Sequence, residues 1–195
     1  MHTLHLKTLL AGLSLRSATA DMETEITRIS YDSRTTAPGD VFVAMTGFAT
    51  DGHAYIGKAV AAGAAAVVCE RPPADSSVPY VLVENSRRAL AVMAANYYGH
   101  PADSMTMVAV TGTNGKTTTT YLLKAILEQE LGAKVGLIGT NQDLIGDEVV
   151  PTERTTPESL ELQELFARMR SAGCTHVVME ASSHALALDR VYGIH

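Results

Sequence analysis

The chain has no tryptophan, and only 5% of its 195 residues are aromatic. Proteins that bind single-stranded nucleic acid stack bases on aromatic side chains, so this scarcity argues against such a surface. A basic excess is missing as well, because 21 acidic residues outnumber 15 lysines and arginines and leave a net charge of −6. This balance creates no broad field that attracts nucleic acid, so any site for phosphate groups must be local.

Cysteines and long apolar runs are also scarce. Cys69 and Cys174 lack the cysteine and histidine neighbours of a zinc site, so we expect two reduced, partly buried thiols. The apolar stretch 9–15 is short for a signal peptide and is followed at once by Arg16. No apolar segment has the length of a membrane span. We therefore expect a cytoplasmic protein without membrane insertion.

The most informative segment is 108–118, which reads Val-Ala-Val-Thr-Gly-Thr-Asn-Gly-Lys-Thr-Thr. An apolar strand leads into a glycine-containing turn, and Lys-Thr then begins a helix. Glycines let backbone N–H groups converge on an anion, and the helix N-terminus adds unpaired N–H donors and a positive dipole end. The segment therefore predicts a nucleoside triphosphate site, with Lys116 at the β- and γ-phosphates and the Thr117 hydroxyl on Mg²⁺.

This phosphate loop is shorter than the common Walker A pattern. That pattern has a glycine six residues before the lysine, where this chain has Val110. The alternative is a strand–turn–helix corner that merely contains a lysine. Four threonines, 117–120, begin the helix, and this poor choice on helix propensity favours the phosphate interpretation. We expect the nucleotide to be bound by Gly112, Thr113, Asn114, Gly115, Lys116, Thr117 and Thr118.

An acidic residue, Glu180, directly follows the apolar run 177–179. Ligands of parallel sheets bind beyond the carboxyl ends of the strands, so Glu180 and the phosphate loop are expected to face one site. Mg²⁺ favours one or two carboxylates together with phosphate and water oxygens. We expect Thr117 and Glu180 to be metal ligands and Lys116 and Glu180 to be catalytic groups. The alternative is a solvated acid at a strand end.

Apolar periodicity predicts two α/β domains, 1–102 and 103–195. The first begins with an amphipathic helix containing Leu4 and Leu13. The second contains three strands of a doubly wound parallel sheet, which make a thin core, so we expect it to be truncated. The predicted strands are 26–31, 41–45, 64–69, 80–83, 105–110, 134–139 and 176–179. The predicted helices are 53–62, 86–98, 116–131, 157–171 and a short one after 179.

The loop Thr-Gly-Thr-Asn-Gly-Lys-Thr-Thr resembles the ATP loop of the Mur ligases, which are ATP-dependent amide ligases of peptidoglycan precursor synthesis. Folylpolyglutamate synthases and cyanophycin synthetases carry related loops. Residues 31–44, with Tyr-Asp-Ser-Arg and Pro-Gly-Asp-Val-Phe-Val-Ala, look like the uridine-nucleotide domain of the family. Segments 154–158 and 180–186 resemble the MurE branch, which adds the third amino acid to UDP-N-acetylmuramoyl-L-alanyl-D-glutamate.

The resemblance implies a small N-terminal α/β uridine-nucleotide-binding domain, followed by the first part of a P-loop doubly wound parallel-sheet ATPase domain. It implies ATP and Mg²⁺ as cofactors, and a UDP-N-acetylmuramoyl dipeptide and a diamino acid (meso-diaminopimelate or L-lysine) as partners. In such ligases ATP phosphorylates the D-glutamyl side-chain carboxylate, and the incoming amine then attacks the acyl phosphate. Further catalytic parts of the family are expected beyond His195, so we expect the isolated chain to be inactive. We also expect the protein to be monomeric.

The resemblance also implies residues that contact the substrate: Ser33, Thr155, Thr156, Ser182 and Arg190. Thr156 is alternatively the N-cap of the helix that begins at Pro157.

Three further features bear on these sites. His184 is either a supporting group behind the site or a helix-start residue. Phe48–Ala49 replaces a polar His-Gln pair of some members, which removes side-chain contacts there. Asp32 and Arg34 are expected to form a structural ion pair.

Two other functions remain open. One is another ligase of the same superfamily, such as a folylpolyglutamate or cyanophycin synthetase, and the segment 31–44 argues against it. The other is a non-catalytic module that binds a UDP-sugar or a nucleotide. The set Lys116, Thr117 and Glu180 argues against a degenerate site.

Overall fold

The computed structural model describes residues 3–47 and 50–195, and it divides into two compact units, Met1–Tyr97 and Tyr98–His195. The Phe48–Ala49 pair lies outside the described residues. Among the described residues, no helix combines the length and the apolar character needed to span a bilayer.

The first unit contains a five-stranded sheet with the strand order β2-β7-β6-β5-β4. Its four strands β4 to β7 are parallel, β2 joins β7 in the antiparallel direction, and β1 pairs with β3 separately. Its elements are β1 (Leu4–His5), α1 (Leu6–Leu9), β2 (Leu15–Ala18), β3 (Glu25–Ile26), β4 (Arg28–Ser30), β5 (Asp40–Val43), a 3₁₀ turn (Gly52–Tyr55), α2 (Ile56–Ala61), β6 (Ala66–Cys69), β7 (Tyr80–Val83) and α3 (Ser86–Tyr98).

Buried strands and α2 form one core cluster of the first unit, in which Phe42 and Val67 pack with Ile56 and Ala59. Cys69 belongs to this cluster, and burial raises the pKa of its thiol to about 11. Both cysteines are free and buried, as the sequence predicted. The N-terminal helix was predicted too long, because only the single turn Leu6–Leu9 is helical.

The second unit contains a sheet with the strand order β11-β10-β9-β12-β8. Strands β8, β12 and β9 are parallel, while β10 and β11 form an antiparallel hairpin beside β9. Its elements are a 3₁₀ turn (Pro101–Ser104), β8 (Thr106–Val110), α4 (Lys116–Leu131), β9 (Val135–Ile138), β10 (Asp143–Ile145), β11 (Glu148–Val150), α5 (Ser159–Ser171), β12 (His176–Glu180) and α6 (Ser183–Ala187).

The prediction of three strands in the second sheet was wrong, because the β10–β11 hairpin adds two more. Its turn is Gly146-Asp147, with Gly146 at φ +62°. Three-residue strands give too few alternations for a clear period-2 pattern, which explains why the sequence analysis missed them.

The long helices begin and end close to their predicted positions. Helix α4 begins after Gly115 at φ +79° and ends before Gly132 at φ +60°, conformations that glycine adopts without a Cβ penalty. Helix α5 begins at Ser159 with Glu158 as its N-cap residue. The N-cap interpretation of Thr156 was therefore wrong.

Candidate active site

Three loops of the second unit meet at one edge of its sheet. Strand β12 lies between β8 and β9, and in this parallel register Glu180 is opposite Val110 while Met179 is opposite Ile138. The phosphate loop follows β8, and Gly139–Thr140 follows β9. The phosphate loop, the Glu180 carboxylate and the dipeptide Gly139–Thr140 therefore lie together at the carboxyl ends of three adjacent parallel strands.

The phosphate loop has the backbone that the sequence predicted. Gly112 and Gly115 both have positive φ, at +141° and +79°. The Lys116 Nζ atom donates to the Gly112 carbonyl oxygen at 2.8 Å, so the ammonium group is folded back over the loop. Thr113 and Asn114 are exposed, while Lys116 and Thr117 are half-buried at the start of α4. The start of a 16-residue helix adds its N–H donors and its positive dipole end to this loop.

The Glu180 carboxylate is only 1% exposed and is held by three donors. Thr117 Oγ1 donates to Glu180 Oε1 at 2.9 Å, the Thr140 N–H donates to the same oxygen at 3.0 Å, and Thr140 Oγ1 donates to Oε2 at 3.1 Å. All three donors are uncharged. A buried carboxylate with neutral donors at a sheet edge beside a phosphate loop fits a cation such as Mg²⁺.

Gly139 lets the Glu180 carboxylate approach the backbone. A Cβ atom at residue 139 would lie 2.6 Å from Glu180 Oε1, closer than real contacts allow. Neither Gly139 nor Thr140 was predicted from the sequence as a site residue. The signal that could have found them is a Gly-Thr pair directly after the apolar strand 135–138.

Thr155 and Thr156 both lie beside this site, but their hydroxyl groups have different partners. Thr155 Oγ1 lies 3.1 Å from Thr140 Oγ1, at the side where Glu180 is held. The Thr156 hydroxyl is buried; it donates to the Glu180 carbonyl oxygen at 2.7 Å and accepts from the Ser182 N–H at 3.2 Å. Thr156 therefore ties the end of β12 to the start of α6.

Ser182 and Arg190 flank the same junction. Ser182 is the N-cap of α6, and its Oγ accepts the Ala185 N–H at 3.2 Å. Arg190 Nη1 donates to the Thr156 carbonyl oxygen at 2.9 Å, and its Nε lies 2.8 Å from Glu158 Oε1. The buried Glu158 thus holds Arg190 at the edge of the site. His184 is exposed in the first turn of α6.

Within residues 3–47 and 50–195, no three or more histidine, cysteine, aspartate or glutamate side chains gather in a metal-binding group. A cation at this edge would therefore take its protein ligands from Glu180 and Thr117, and the rest from phosphate and water oxygens. Mg²⁺ has this preference, because it keeps several waters and takes few carboxylates.

Asp143 is a second buried acid beside the site, and the sequence analysis missed it. Its side chain is buried, its Oδ1 accepts the Gly139 N–H at 3.1 Å, and burial raises the pKa of its carboxyl to about 6. Hydrogen bonding to Gly139 and Thr152 acts in the opposite direction on this pKa.

The pH dependence of stability follows from this shift. The folded-state pKa lies above the ordinary aspartate pKa of 3.8, so the stabilisation is complete below about pH 4 and is lost as the pH rises through about 6. We expect Asp143→Asn to flatten the fall in unfolding free energy between pH 4 and 7 by up to about 3 kcal/mol. Chemical denaturation at several pH values measures this. Asp147→Asn, at the exposed turn of the same hairpin, should keep the wild-type slope, and an equal slope in both variants would contradict the assignment.

In the first unit, Ser33 lies in the turn after β4, beside the ion pair of Arg34 Nη2 and Asp32 Oδ2 at 2.6 Å, which confirms the predicted pair. Strands β4 and β5 are parallel, so this turn and residues 44–47, which follow β5, lie at the same edge of the first sheet. Parallel sheets bind ligands beyond the carboxyl ends of their strands, so both segments border a candidate ligand site within the first unit.

His53, whose side chain is only 4% exposed, supports the segment 50–52. The Glu70 N–H donates to His53 Nε2 at 3.0 Å, so His53 Nδ1 carries the proton toward Asp51 Oδ1, 2.7 Å away. Arg71 also contacts Asp51, and the hydrogen bond from Arg71 holds the pKa of this carboxyl well below its usual range. A Cβ on Gly52 would lie 2.7 Å from the Met45 backbone, so the close approach of residues 45 and 52 requires glycine at position 52.

Comparison with known proteins assigns both units to one family. Residues 25–98 match the model of the Mur ligase family catalytic domain, and residues 110–195 match the Mur ligase middle domain. The chain belongs to the Mur ligase family. The matched ranges include Ser33 in the first unit and the phosphate loop and Glu180 in the second.

Individual Mur ligases show how much of a relative is matched. A UDP-N-acetylmuramoyl-L-alanyl-D-glutamate–2,6-diaminopimelate ligase of Clostridium tetani is 47% identical over 193 residues, which are 97% of this chain and 40% of the relative. The chain thus spans about 40% of the length of this relative.

Solved structures of Mur ligases share the fold. One of a UDP-N-acetylmuramoyl-L-alanyl-D-glutamate–2,6-diaminopimelate ligase has a TM-score of 0.75 at 24% identity, over 98% of this chain and 38% of that one. The MurF ligase of Thermotoga maritima, solved in complex with ADP, has a TM-score of 0.50 at 29% identity, over 80% and 32%.

Proposed function

We propose that this chain provides the uridine-nucleotide-binding and ATP-binding parts of an ATP-dependent ligase that acts on UDP-N-acetylmuramoyl-L-alanyl-D-glutamate. The activity in the name of the Clostridium tetani relative supports this assignment, as does its 47% identity over nearly the whole chain. The same relative's name favours 2,6-diaminopimelate over lysine as the incoming amino acid. We further propose a cytoplasmic monomer.

The observation that carries the proposal is the Glu180 carboxylate, buried at the end of β12 beside the phosphate loop and bound by Thr117 and Thr140. The Thermotoga maritima MurF ligase, solved in complex with ADP, supports an adenine nucleotide as a ligand of this chain. Residues 112–118 would bind the phosphates of ATP through backbone N–H groups and the Lys116 ammonium group. Glu180 and Thr117 would hold Mg²⁺, which supplies positive charge to the phosphoryl group.

The remaining residues would place the acceptor substrate. Ser33 would contact the uridine diphosphate in the first unit. Thr155, Ser182 and Arg190 would contact the muramoyl dipeptide at the edge of the second. A fixed position for the D-glutamyl carboxylate lowers the entropic part of the barrier to phosphoryl transfer. We also keep Thr156 as a proposed substrate contact, although its hydroxyl already bonds to the Glu180 carbonyl oxygen and the Ser182 N–H.

The proposal is tested by measuring the binding of fluorescent ADP with Mg²⁺ and with EDTA. We expect Mg²⁺ to tighten binding to the wild-type chain, and Glu180→Gln to remove most of this gain, on the order of tenfold, because the carboxylate loses its charge. Glu130→Gln, at the exposed far end of α4, makes the same chemical change and should keep the gain. A Glu180→Gln variant with the full Mg²⁺ gain, or a wild-type chain that does not bind ADP, would contradict the proposal.

A further inference from the structure

The Gly139–Thr140 step lies between two buried carboxylates. The Gly139 N–H donates to Asp143 Oδ1 at 3.1 Å, and the next N–H, of Thr140, donates to Glu180 Oε1 at 3.0 Å. The place of a side chain on Gly139 is taken by the Glu180 carboxylate. The position of this short backbone segment therefore decides where Glu180 is held.

Asp143 is well placed to fix that segment. It is the first residue of β10, and β10 is paired with β9 through Leu144 opposite Leu137 and Ile145 opposite Gly136. The hairpin partner β11 is paired with β10 over all three residues. Asp143 is thus fixed to the sheet from which Gly139 emerges, and its carboxyl closes the turn between β9 and β10 from inside.

We infer that Asp143 is a positioning residue of the Glu180 site: it accepts the Gly139 N–H and so places Thr140 where its N–H and hydroxyl hold the Glu180 carboxylate. At 2% exposure Asp143 is covered by protein and acts through Gly139 and Thr140. The inference rests on the proposed function, because it assigns to Asp143 an effect on the Mg²⁺ that Glu180 would hold.

A purely structural role for Asp143 gives a different result. A substitution that only destabilises the second unit lowers ADP binding with and without Mg²⁺ alike, or changes neither in the folded protein. A substitution that releases Thr140 leaves the phosphate loop intact and weakens the hold on Glu180. It therefore reduces the gain in ADP affinity that Mg²⁺ provides.

The experiment measures ADP affinity with Mg²⁺ and with EDTA for the full chain and three variants. Asp143→Ala removes the acceptor, and we expect it to lose most of the Mg²⁺ gain while binding in EDTA stays within about twofold. Asp143→Asn keeps an acceptor oxygen, and we expect it to keep the gain within about threefold. Asp147→Ala, at the exposed turn of the same hairpin, should match the wild type.

Glu180→Gln separates the inference from the function on which it rests. If Glu180→Gln keeps the Mg²⁺ gain, the proposed function fails. If Glu180→Gln loses the gain while Asp143→Ala keeps it, the inference alone is overturned. An equal loss in Asp143→Ala and Asp143→Asn would also overturn it, because an acceptor would then not be what the site needs.

Amide hydrogen exchange keeps the test decisive if Asp143→Ala does not fold. We expect the Gly139 amide to exchange slowly in the wild-type chain and in Asp143→Asn, without any nucleotide. Fast exchange at Gly139 in the wild-type chain would show that Asp143 does not hold this segment, and would overturn the inference.

Discussion

Replacing Lys116 with alanine is expected to lower the affinity for ADP by about 10- to 100-fold, because a charged hydrogen bond to phosphate contributes roughly 1.5–3 kcal/mol. The ammonium group already lies over the loop through its bond to the Gly112 carbonyl oxygen. Nucleotide phosphates would replace this neutral acceptor with charged ones, which bind an ammonium group more strongly. Titration of fluorescent ADP, at a fixed and moderate salt concentration, measures the loss.

The matched control for this loss is Lys134→Ala. Lys134 is exposed just before β9, at the opposite edge of the sheet, and donates to the Ala172 carbonyl oxygen. Lys134→Ala removes one positive charge from the second unit, as Lys116→Ala does. If the effect of Lys116 is local, Lys134→Ala should leave the ADP affinity within about twofold of the wild-type value. Equal losses in both variants would mean that net charge alone governs binding, and the phosphate loop assignment would fail.

Truncating Phe166 to alanine is expected to lower the free energy of unfolding of the second unit by about 3–5 kcal/mol. Phe166 is 0% exposed and belongs to the core cluster in which α5 packs on Val177 and Met179 of β12. Deleting its ring removes apolar contacts and leaves a cavity that neighbouring side chains fill only in part. The same core lies under the strand that carries Glu180.

Hydrogen exchange read by mass spectrometry measures the Phe166 effect within one unit. A single transition is not assured for a chain with two units, so peptides from α5 and β12 are followed in denaturant. Leu122→Ala, at an exposed residue of α4, should change stability by less than about 0.5 kcal/mol. A Phe166 variant as stable as this control would contradict the core assignment.

Long, strongly patterned elements could be predicted from the sequence. Helix α4 has its predicted bounds because the phosphate loop marks its start and Gly132 its end. The position of Glu180 at the end of β12 followed from an apolar run and from the rule that strand ends of parallel sheets form sites. A residue that lies both in a motif and at a strand end can be assigned to a site on two independent grounds.

Residues that act through the backbone could not be predicted in this way. Thr140 holds Glu180 partly with its N–H, which is a donor that every residue except proline possesses. Asp143 comes next to Gly139 only because β10 reverses direction beside β9, and strands of three residues leave little periodic signal. Thr156 looked like an N-cap before Pro157, but its hydroxyl bonds to the end of another strand.

The space above Gly139 links two positions that are distant in sequence. Because the Glu180 carboxylate lies where a methyl group on residue 139 would be, an alanine there moves the carboxylate without altering it. In a library of random variants selected for loss of Mg²⁺ response, the smallest possible side-chain addition at Gly139 should score like a substitution of Glu180 itself. Second substitutions that restore the Mg²⁺ response of such a variant would then be those that reposition the carboxylate, rather than those that introduce a new acid.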